Sequence, residues 1–190
     1  QGTAVIAQEE RAVAIETEGR RIRAVVTLSM RSGKKKRYTG KLFCDCTGDA
    51  VLSRMAGCEV MYGREGRDEF NESLAAPGHE NLVMGQSIRW YAEDCGRPAP
   101  FPDIDFAIPF TEQDCFHTLN GDWEQESGFR RQMAAETEYI RDYGLLAIFS
   151  NWSFQKNRSA RKDEYANYRL AWASHLGGKR ESYRVRGDMS

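Results

Sequence analysis

The sequence lacks any long run of apolar residues, and this absence excludes a membrane-spanning helix. The longest apolar run, Leu145 to Phe149, is far shorter than the about 20 residues that cross a bilayer. The start of the chain also lacks the charged and apolar segments of a signal peptide. This second absence weakly favours the cytoplasm but leaves the localisation undetermined.

The chain also lacks an excess of charge of either sign. Its 27 Lys and Arg residues face 28 Asp and Glu residues, which leaves a net charge of -1. We therefore expect no nucleic acid partner, because no overall field would attract a polyanion. The one dense basic run, Lys34 to Arg37, follows the turn signal Ser32-Gly33, so we interpret it as the solvated edge of a hairpin.

Cysteine and histidine are few and lack the spacing of metal ligands. The cysteines, at positions 44, 46, 58, 95 and 115, include no Cys-x-x-Cys pair, and the histidines are scattered. We predict free thiols and no metal site. Cys44 and Cys46, two positions apart on a predicted strand, should share one face and pack there as small hydrophobes.

The sequence does have enough apolar residues for a core. With 41% hydrophobic residues in 190, it can build one domain or two small ones. The first part predicts three strands, Ala12 to Ile15, Ile22 to Leu28 and Tyr38 to Cys46. Because the turns between them are short, these strands should form an antiparallel meander.

After the third strand the pattern becomes helical, and Gly57 is placed to end a short helix. Cys58 to Tyr62 predicts one more strand. The polar stretch from Gly63 to Gly78 then marks a boundary. We therefore expect a first domain over residues 1–63 and a second over residues 64–190.

The second part mixes strands and helices. Leu82 to Tyr91 predicts a strand, and residues 96–109, with four of the five prolines, predict an extended connection. Helical spacing follows from Met133 to Ile148. A second helix is predicted from Asp163 to Leu176, before Gly177-Gly178. The expected fold class is α+β.

One segment, Cys44 to Ala50, predicts a strand that enters a helix through the turn Thr47-Gly48-Asp49. In the structural interpretation, Gly48 permits the turn and Asp49 caps the helix. In the functional interpretation, the carboxylate accepts hydrogen bonds from hydroxyl groups and the glycine lets a cofactor approach closely. These residues by themselves leave both interpretations open.

In its context this segment resembles the second flavin motif of FAD-dependent oxidoreductases with a glutathione-reductase-like fold. The resemblance rests on the preceding meander, the following helix, Ala56-Gly57-Cys58 and Tyr62 to Glu65. More narrowly, the segment is similar to the bacterial family labelled xanthan-lyase-like. The resemblance implies FAD as the cofactor. It gives Asp49 the role of a hydrogen-bond partner of the ribityl chain, with Thr47 and Gly48 shaping the approach.

Further segments of the chain resemble the middle and the end of sequences from the same family. They are Glu72-Ser73-Leu74 with Pro77, Trp123-Glu124, Ile140 to Leu145, Asn151-Trp152, Lys156-Asn157 and Arg180 to Asp188. In the last segment Tyr183 stands where the family usually has Arg. The resemblance implies that Arg180 and Arg184 line the substrate side of the flavin, where a guanidinium can orient an oxygen-rich substrate. A solvated loop or strand edge is the alternative.

The resemblance implies hydride transfer between FAD and a small organic, sugar-related substrate, although no catalytic base stands out. The 190 residues contain no Gly-x-Gly-x-x-Gly turn, which holds the FAD pyrophosphate in this class. We therefore expect the chain to be an internal piece of a longer enzyme and to be inactive alone. FAD titrated into this piece should bind weakly or not at all.

Two other functions remain open. A non-catalytic relative would keep the fold without flavin. A carbohydrate-binding or interaction module would use aromatic faces that stack on sugars, for which the candidates are Trp90, Tyr91, Trp123, Trp152 and Trp172. Core packing is the competing expectation, especially for Trp172, which lies at helical spacing from Tyr165 and Tyr168.

Overall fold

A computed structural model describes residues 3–187, so that Asp188 of the last family-like segment lies outside the described residues. The chain divides into two compact units, one made of the residues up to Tyr62 together with those from Tyr183 on, the other of Gly63–Ser182. Small antiparallel sheets and few helices confirm the predicted α+β class.

The elements are β1 (Glu10–Glu18), β2 (Arg21–Ser29), β3 (Lys35–Thr39), α1 (Val51–Met55), β4 (Val60–Tyr62), α2 (Arg67–Phe70), β5 (Gln86–Ser87), β6 (Trp90–Asp94), β7 (Asn120–Gly121), α3 (Thr137–Asn157), a 3-10 helix (Lys162–Tyr165), β8 (Tyr168–Ala173), β9 (Gly178–Lys179) and β10 (Tyr183–Val185).

The first unit begins with the predicted meander, in which β2 lies between β1 and β3 and pairs antiparallel with both. Gly19 and Gly33 provide the turns with φ values of 58° and 69°, which favour glycine. The third strand ends at Thr39, whereas the sequence predicted a strand as far as Cys46. Residues 40–46 have no ladder partner among the described strands, so their apolar pattern alone does not make a strand.

The basic run lies on β3, at the edge of this sheet, as the sequence predicted. Two of its cations are paired with carboxylates of β1, because side chains of both outer strands reach across β2. Arg37 binds Glu16 through Nε and Nη2, with the shortest N–O distance 2.7 Å. Lys36 binds Glu10, and this hydrogen bond is the main cause that lowers the pKa of Glu10 to about 2. The run is therefore partly neutralised within its own sheet.

The first unit ends with a two-stranded sheet made of chain segments far apart in sequence. The last described strand, β10, pairs antiparallel with β4, so that Tyr183 lies opposite Tyr62 and Arg184 opposite Met61. The chain thus returns to its first unit after the second is complete.

The second unit is built around α3, which packs on the sheet β7-β6-β8. Its core consists of Ile88, Trp90, Ile148, Trp152 and Tyr165. Trp90 and Trp152 meet edge to face, with ring centroids 5.9 Å apart.

In the part of the chain that the structure describes, no helix has the length and apolarity that a membrane crossing requires.

The other face of α3 carries buried polar side chains that bind the main chain of the connection before β7. Ser150 Oγ accepts a hydrogen bond from the amide of Ile108 at 2.9 Å, and Ser153 Oγ accepts one from Ile104 at 3.1 Å. Residues 96–109 form neither helix nor strand, as their prolines predict. Some main-chain amide groups of the connection therefore form hydrogen bonds with α3 side chains instead of pairing with another strand.

The helix predicted from Asp163 to Leu176 is wrong, because this stretch forms the 3-10 helix and then β8, which pairs antiparallel with β6. Pairing with a neighbouring strand outweighs the helical spacing of its aromatic residues. Tyr165 is buried, but Trp172 is 46% exposed and stacks on Tyr91 with ring centroids 5.9 Å apart. The core position expected for Trp172 is therefore also wrong.

Candidate functional site

The turn Thr47-Gly48-Asp49 leads into α1 through an unusual backbone path. Gly48 has a φ of 82°, and Ala50, just before α1, lies in the left-handed region with a φ of 51°. A Cβ atom built on Gly48 would meet no atom within 4 Å. Glycine is therefore favoured here by its backbone angle and not by crowding, and the space beside its Cα is open.

Asp45 holds this turn to α1 with both carboxylate oxygens. Its Oδ1 accepts hydrogen bonds from the amide and the hydroxyl of Thr47, at 3.0 and 2.7 Å. Its Oδ2 accepts from the amide and the hydroxyl of Ser53, both at 2.8 Å. Partial burial would by itself raise the pKa of Asp45, but these hydrogen bonds, led by the Ser53 amide, outweigh it and lower the pKa to about 2.

Thr47 completes the start of α1, because its Oγ1 accepts a hydrogen bond from the amide of Val51 at 2.8 Å. Asp45 and Thr47 thus accept hydrogen bonds from two of the amide groups that lack partners within the helix. The sequence interpretation assigned capping to Asp49 and missed Asp45. The signal was present, since an Asp two residues before a Thr can accept a hydrogen bond from that residue's amide.

Capping of α1 therefore does not require Asp49, which follows the open glycine and is half-buried. A carboxylate in this place can accept hydrogen bonds from several donors. The hydroxyl of Thr47 donates to Asp45 and accepts from Val51. Thr47 is therefore suited to hold the turn.

The two arginines that were predicted on the substrate side belong to different compact units. Arg184 is half-buried in β10, in the same unit as the turn. Arg180 is exposed and belongs to the other unit. Arg184 thus shares its compact unit with the Thr-Gly-Asp turn, whereas Arg180 does not.

Tyr183, which replaces the usual Arg of the family-like segment, packs inside the first unit. Its ring lies under the Arg54 guanidinium, whose central carbon is 3.9 Å from the ring centroid. The same ring contacts Tyr62, with centroids 4.9 Å apart. Arg54 belongs to α1, so these contacts tie the helix that follows the turn to β10 and β4.

The family-like residues of α3 have structural roles. Asn151 and Trp152 are fully buried, and the Asn151 side chain binds both the amide and the carbonyl of Phe116, at 2.9 and 3.1 Å. Lys156 donates from Nζ to three main-chain carbonyls, and burial lowers its pKa. These residues support the second unit, and Lys156 also lines a cavity of about 450 Å³.

A cluster that the sequence analysis missed lies beside a cavity of about 340 Å³ in the second unit. His117 Nε2 is 3.0 Å from a carboxylate oxygen of Glu112, and its Nδ1 is 3.4 Å from the hydroxyl of Tyr165. The pKa of Glu112 is lowered, first by the amide of Ala160. Such a chain of groups can pass a proton. No local pattern reveals it, because Tyr165 is distant in sequence.

All five cysteines are free thiols, as predicted. Cys44 and Cys46 share one side of the chain, with their Sγ atoms 3.5 Å apart. Both are exposed, so the predicted packing as small hydrophobes is wrong. Within residues 3–187, no three His, Cys, Asp or Glu side chains are grouped as a metal site.

Comparison with known proteins supports the resemblance found in the sequence. A family model described as FAD dependent oxidoreductase matches residues 2–190, which is nearly the whole chain. Searches among curated proteins and among solved structures found no match. The family match gives FAD as the cofactor.

Proposed function

The chain belongs to the FAD-dependent oxidoreductase family, and we propose that its first unit contributes the part of the FAD site that contacts the ribityl chain. The observation that carries this proposal is the turn into α1. There, an open glycine with a φ of 82° is followed directly by a half-buried carboxylate, Asp49.

The residues of the turn fit this part of FAD. A ribityl chain carries hydroxyl groups, which donate hydrogen bonds to a carboxylate. The missing side chain of Gly48 lets such a chain approach the backbone. Asp45 and Thr47 supply the stiffness, because their hydrogen bonds define the path of the turn before any ligand arrives. In this proposal Asp49 binds and the other two residues position it.

The proposed reaction is hydride transfer between FAD and a small organic substrate, with sugar-related compounds as the narrower candidates. FAD supplies the ability to accept or donate the hydride. The protein binds and orients. In this proposal Arg184 and Arg180 face the substrate, where a guanidinium would orient its oxygen atoms. The first unit is then part of the FAD-binding domain and the second unit part of a substrate domain.

The proposal is tested with variants at Asp49. We expect Asp49→Ala to weaken FAD binding about 10- to 150-fold, because a hydrogen bond to a charged group contributes about 1.5 to 3 kcal/mol. Asp49→Asn should weaken it less, since the amide keeps one acceptor oxygen. Binding is measured by flavin fluorescence, both in the 190-residue chain at high FAD concentration and in any longer protein that contains it.

The matched control is Glu18→Ala, which removes an exposed carboxylate at the end of β1. It should leave FAD binding unchanged. Circular dichroism of each variant establishes that the fold is intact. Equal FAD affinity of the wild type and of a folded Asp49→Ala variant would contradict the assignment of Asp49.

A second candidate function, carbohydrate binding, is favoured by the aromatic pair on β6 and β8. Tyr91 and Trp172 are 43% and 46% exposed and stack with an interplanar angle of 30°. Buried Trp90 and Trp152 no longer support this function. Titration with oligosaccharides, followed by tryptophan fluorescence, should then give a signal that Trp172→Ala removes, and no signal in the wild type excludes this candidate.

A further inference from the structure

Cys44 and Cys46 form a pair of neighbouring thiols on the surface of the first unit. Their Sγ atoms are 3.5 Å apart, and both side chains are exposed. Asp45 between them is half-buried and bound to Ser53 of α1. Successive side chains along an extended segment point to opposite sides. The anchoring of Asp45 toward α1 therefore leaves the two thiols together on the side facing solvent.

We propose that Cys44 and Cys46 are a dithiol site that small disulfide molecules oxidise reversibly to an intrachain disulfide. A disulfide bond joins sulfur atoms at about 2.05 Å, so the two atoms must approach by about 1.5 Å. Exposed side chains can make this movement by rotation. Because the bond would close a loop of only three residues, it would be strained and easily reduced, as labile and regulatory disulfides are. This site goes beyond the proposed function and does not depend on FAD.

The reaction is a pair of thiol-disulfide exchanges. The thiolate of one cysteine attacks a sulfur atom of the small disulfide, whose S–S bond breaks and releases one thiol after protonation. The thiolate of the second cysteine then attacks the protein sulfur of the mixed disulfide. The Sγ–Sγ bond forms and the second small thiol leaves. The protein has lost two electrons and two protons, and the small disulfide has become two thiols.

The hydrogen bond between the two sulfur atoms also bears on how the exchange depends on pH. The pKa of Cys46 is raised, first by its hydrogen bond with Cys44. A thiol with a raised pKa is protonated at neutral pH, and only the thiolate attacks. The rate of disulfide formation should therefore increase as the pH rises from neutral into the alkaline range.

The experiment treats the reduced 190-residue chain with glutathione disulfide and identifies the products by mass spectrometry after tryptic digestion. Trypsin separates the pair, in residues 42–54, from Cys58, in residues 55–64. We expect the first peptide to lose two hydrogen atoms and to carry no glutathione. Cys58 is exposed too, but no neighbouring sulfur is described for it, so it should retain an attached glutathione. Dithiothreitol should restore both peptides.

Single variants distinguish the pair from two independent thiols. In Cys44→Ser and in Cys46→Ser, the remaining thiol has no partner, so residues 42–54 should carry one glutathione. Cys58→Ser is the matched control and should leave the disulfide unchanged. The proposal is overturned if the wild-type peptide carries two glutathiones, or if it stays reduced while Cys58 is modified.

Discussion

The turn before α1 and the buried face of α3 both contain residues that resemble the same family, but they differ in burial and in what they bind. Gly48 borders open space, and Asp49 is half-buried. Asn151 and Trp152 are fully buried and contact the main chain and the core of their own unit. Family-like residues thus lie both at an open turn and in a buried core. Burial and hydrogen-bond partners separate the two.

The largest effect in this comparison is expected at Trp152. Trp152→Ala should destabilise the second unit by about 3 to 5 kcal/mol, because it removes a large side chain from a packed core. Urea unfolding followed by circular dichroism measures the change. The matched control, Trp123→Ala, removes a side chain that is 64% exposed and should change stability by about 0.5 kcal/mol or less. Similar losses in both variants would contradict the structural role of Trp152.

The next effect is expected at Asn151. Asn151→Ala removes the hydrogen bonds to the amide and the carbonyl of Phe116 and the buried one to Gln155, and each such bond contributes about 0.5 to 1.5 kcal/mol. We expect a loss of about 3 kcal/mol in urea unfolding. Gln113→Ala, which shortens an exposed amide side chain, serves as the control. A small loss in Asn151→Ala would mean that water replaces these bonds.

A smaller, pH-dependent effect is expected at Asp45. The pKa of Asp45 is about 2 in the folded chain, whereas its ordinary value is 3.8. The ionised carboxylate therefore stabilises the fold above about pH 4, and this stabilisation is lost as the pH falls toward 2. Asp45→Asn should cost on the order of 1 to 2 kcal/mol at neutral pH and less near pH 2. Urea unfolding from pH 2 to pH 7 measures both proteins.

The comparison with the variant is needed because Glu10 also has a pKa of about 2 and adds to the acid sensitivity of the wild type. Only the difference between the two proteins reports on Asp45. Glu18→Gln controls for the loss of one exposed charge. A stability difference that is constant over this pH range would show that the carboxylate charge of Asp45 does not matter.

The smallest effect is expected between Arg54 and Tyr183. A double-mutant cycle with Arg54→Ala and Tyr183→Leu should give a coupling of about 0.5 to 1 kcal/mol, which is usual for an exposed cation–π contact. Urea unfolding of the four proteins measures it. Additive losses would mean that the contact with Arg54 does not help to hold Tyr183 in place.

Prediction from the sequence succeeded where the structure depends on residues that are close together in the sequence. The meander was found because its strands alternate and its turns contain Gly19 and Gly33. The geometry of the candidate site was predicted only in part, since the turn at Gly48 was recognised while the anchoring role of Asp45 was missed. The helix predicted in place of β8 shows the limit, because aromatic spacing does not report a pairing with β6.

The sequence by itself determined the α+β class, the meander, the FAD-dependent family and the turn with its short helix. The hydrogen bonds of that turn join residues at most eight positions apart, so a local pattern contains them. The tertiary structure alone decided that β10 returns to β4, that Asn151 binds Phe116 and that His117 meets Tyr165. These contacts join residues 35 or more positions apart, and only the packed chain brings their atoms within reach.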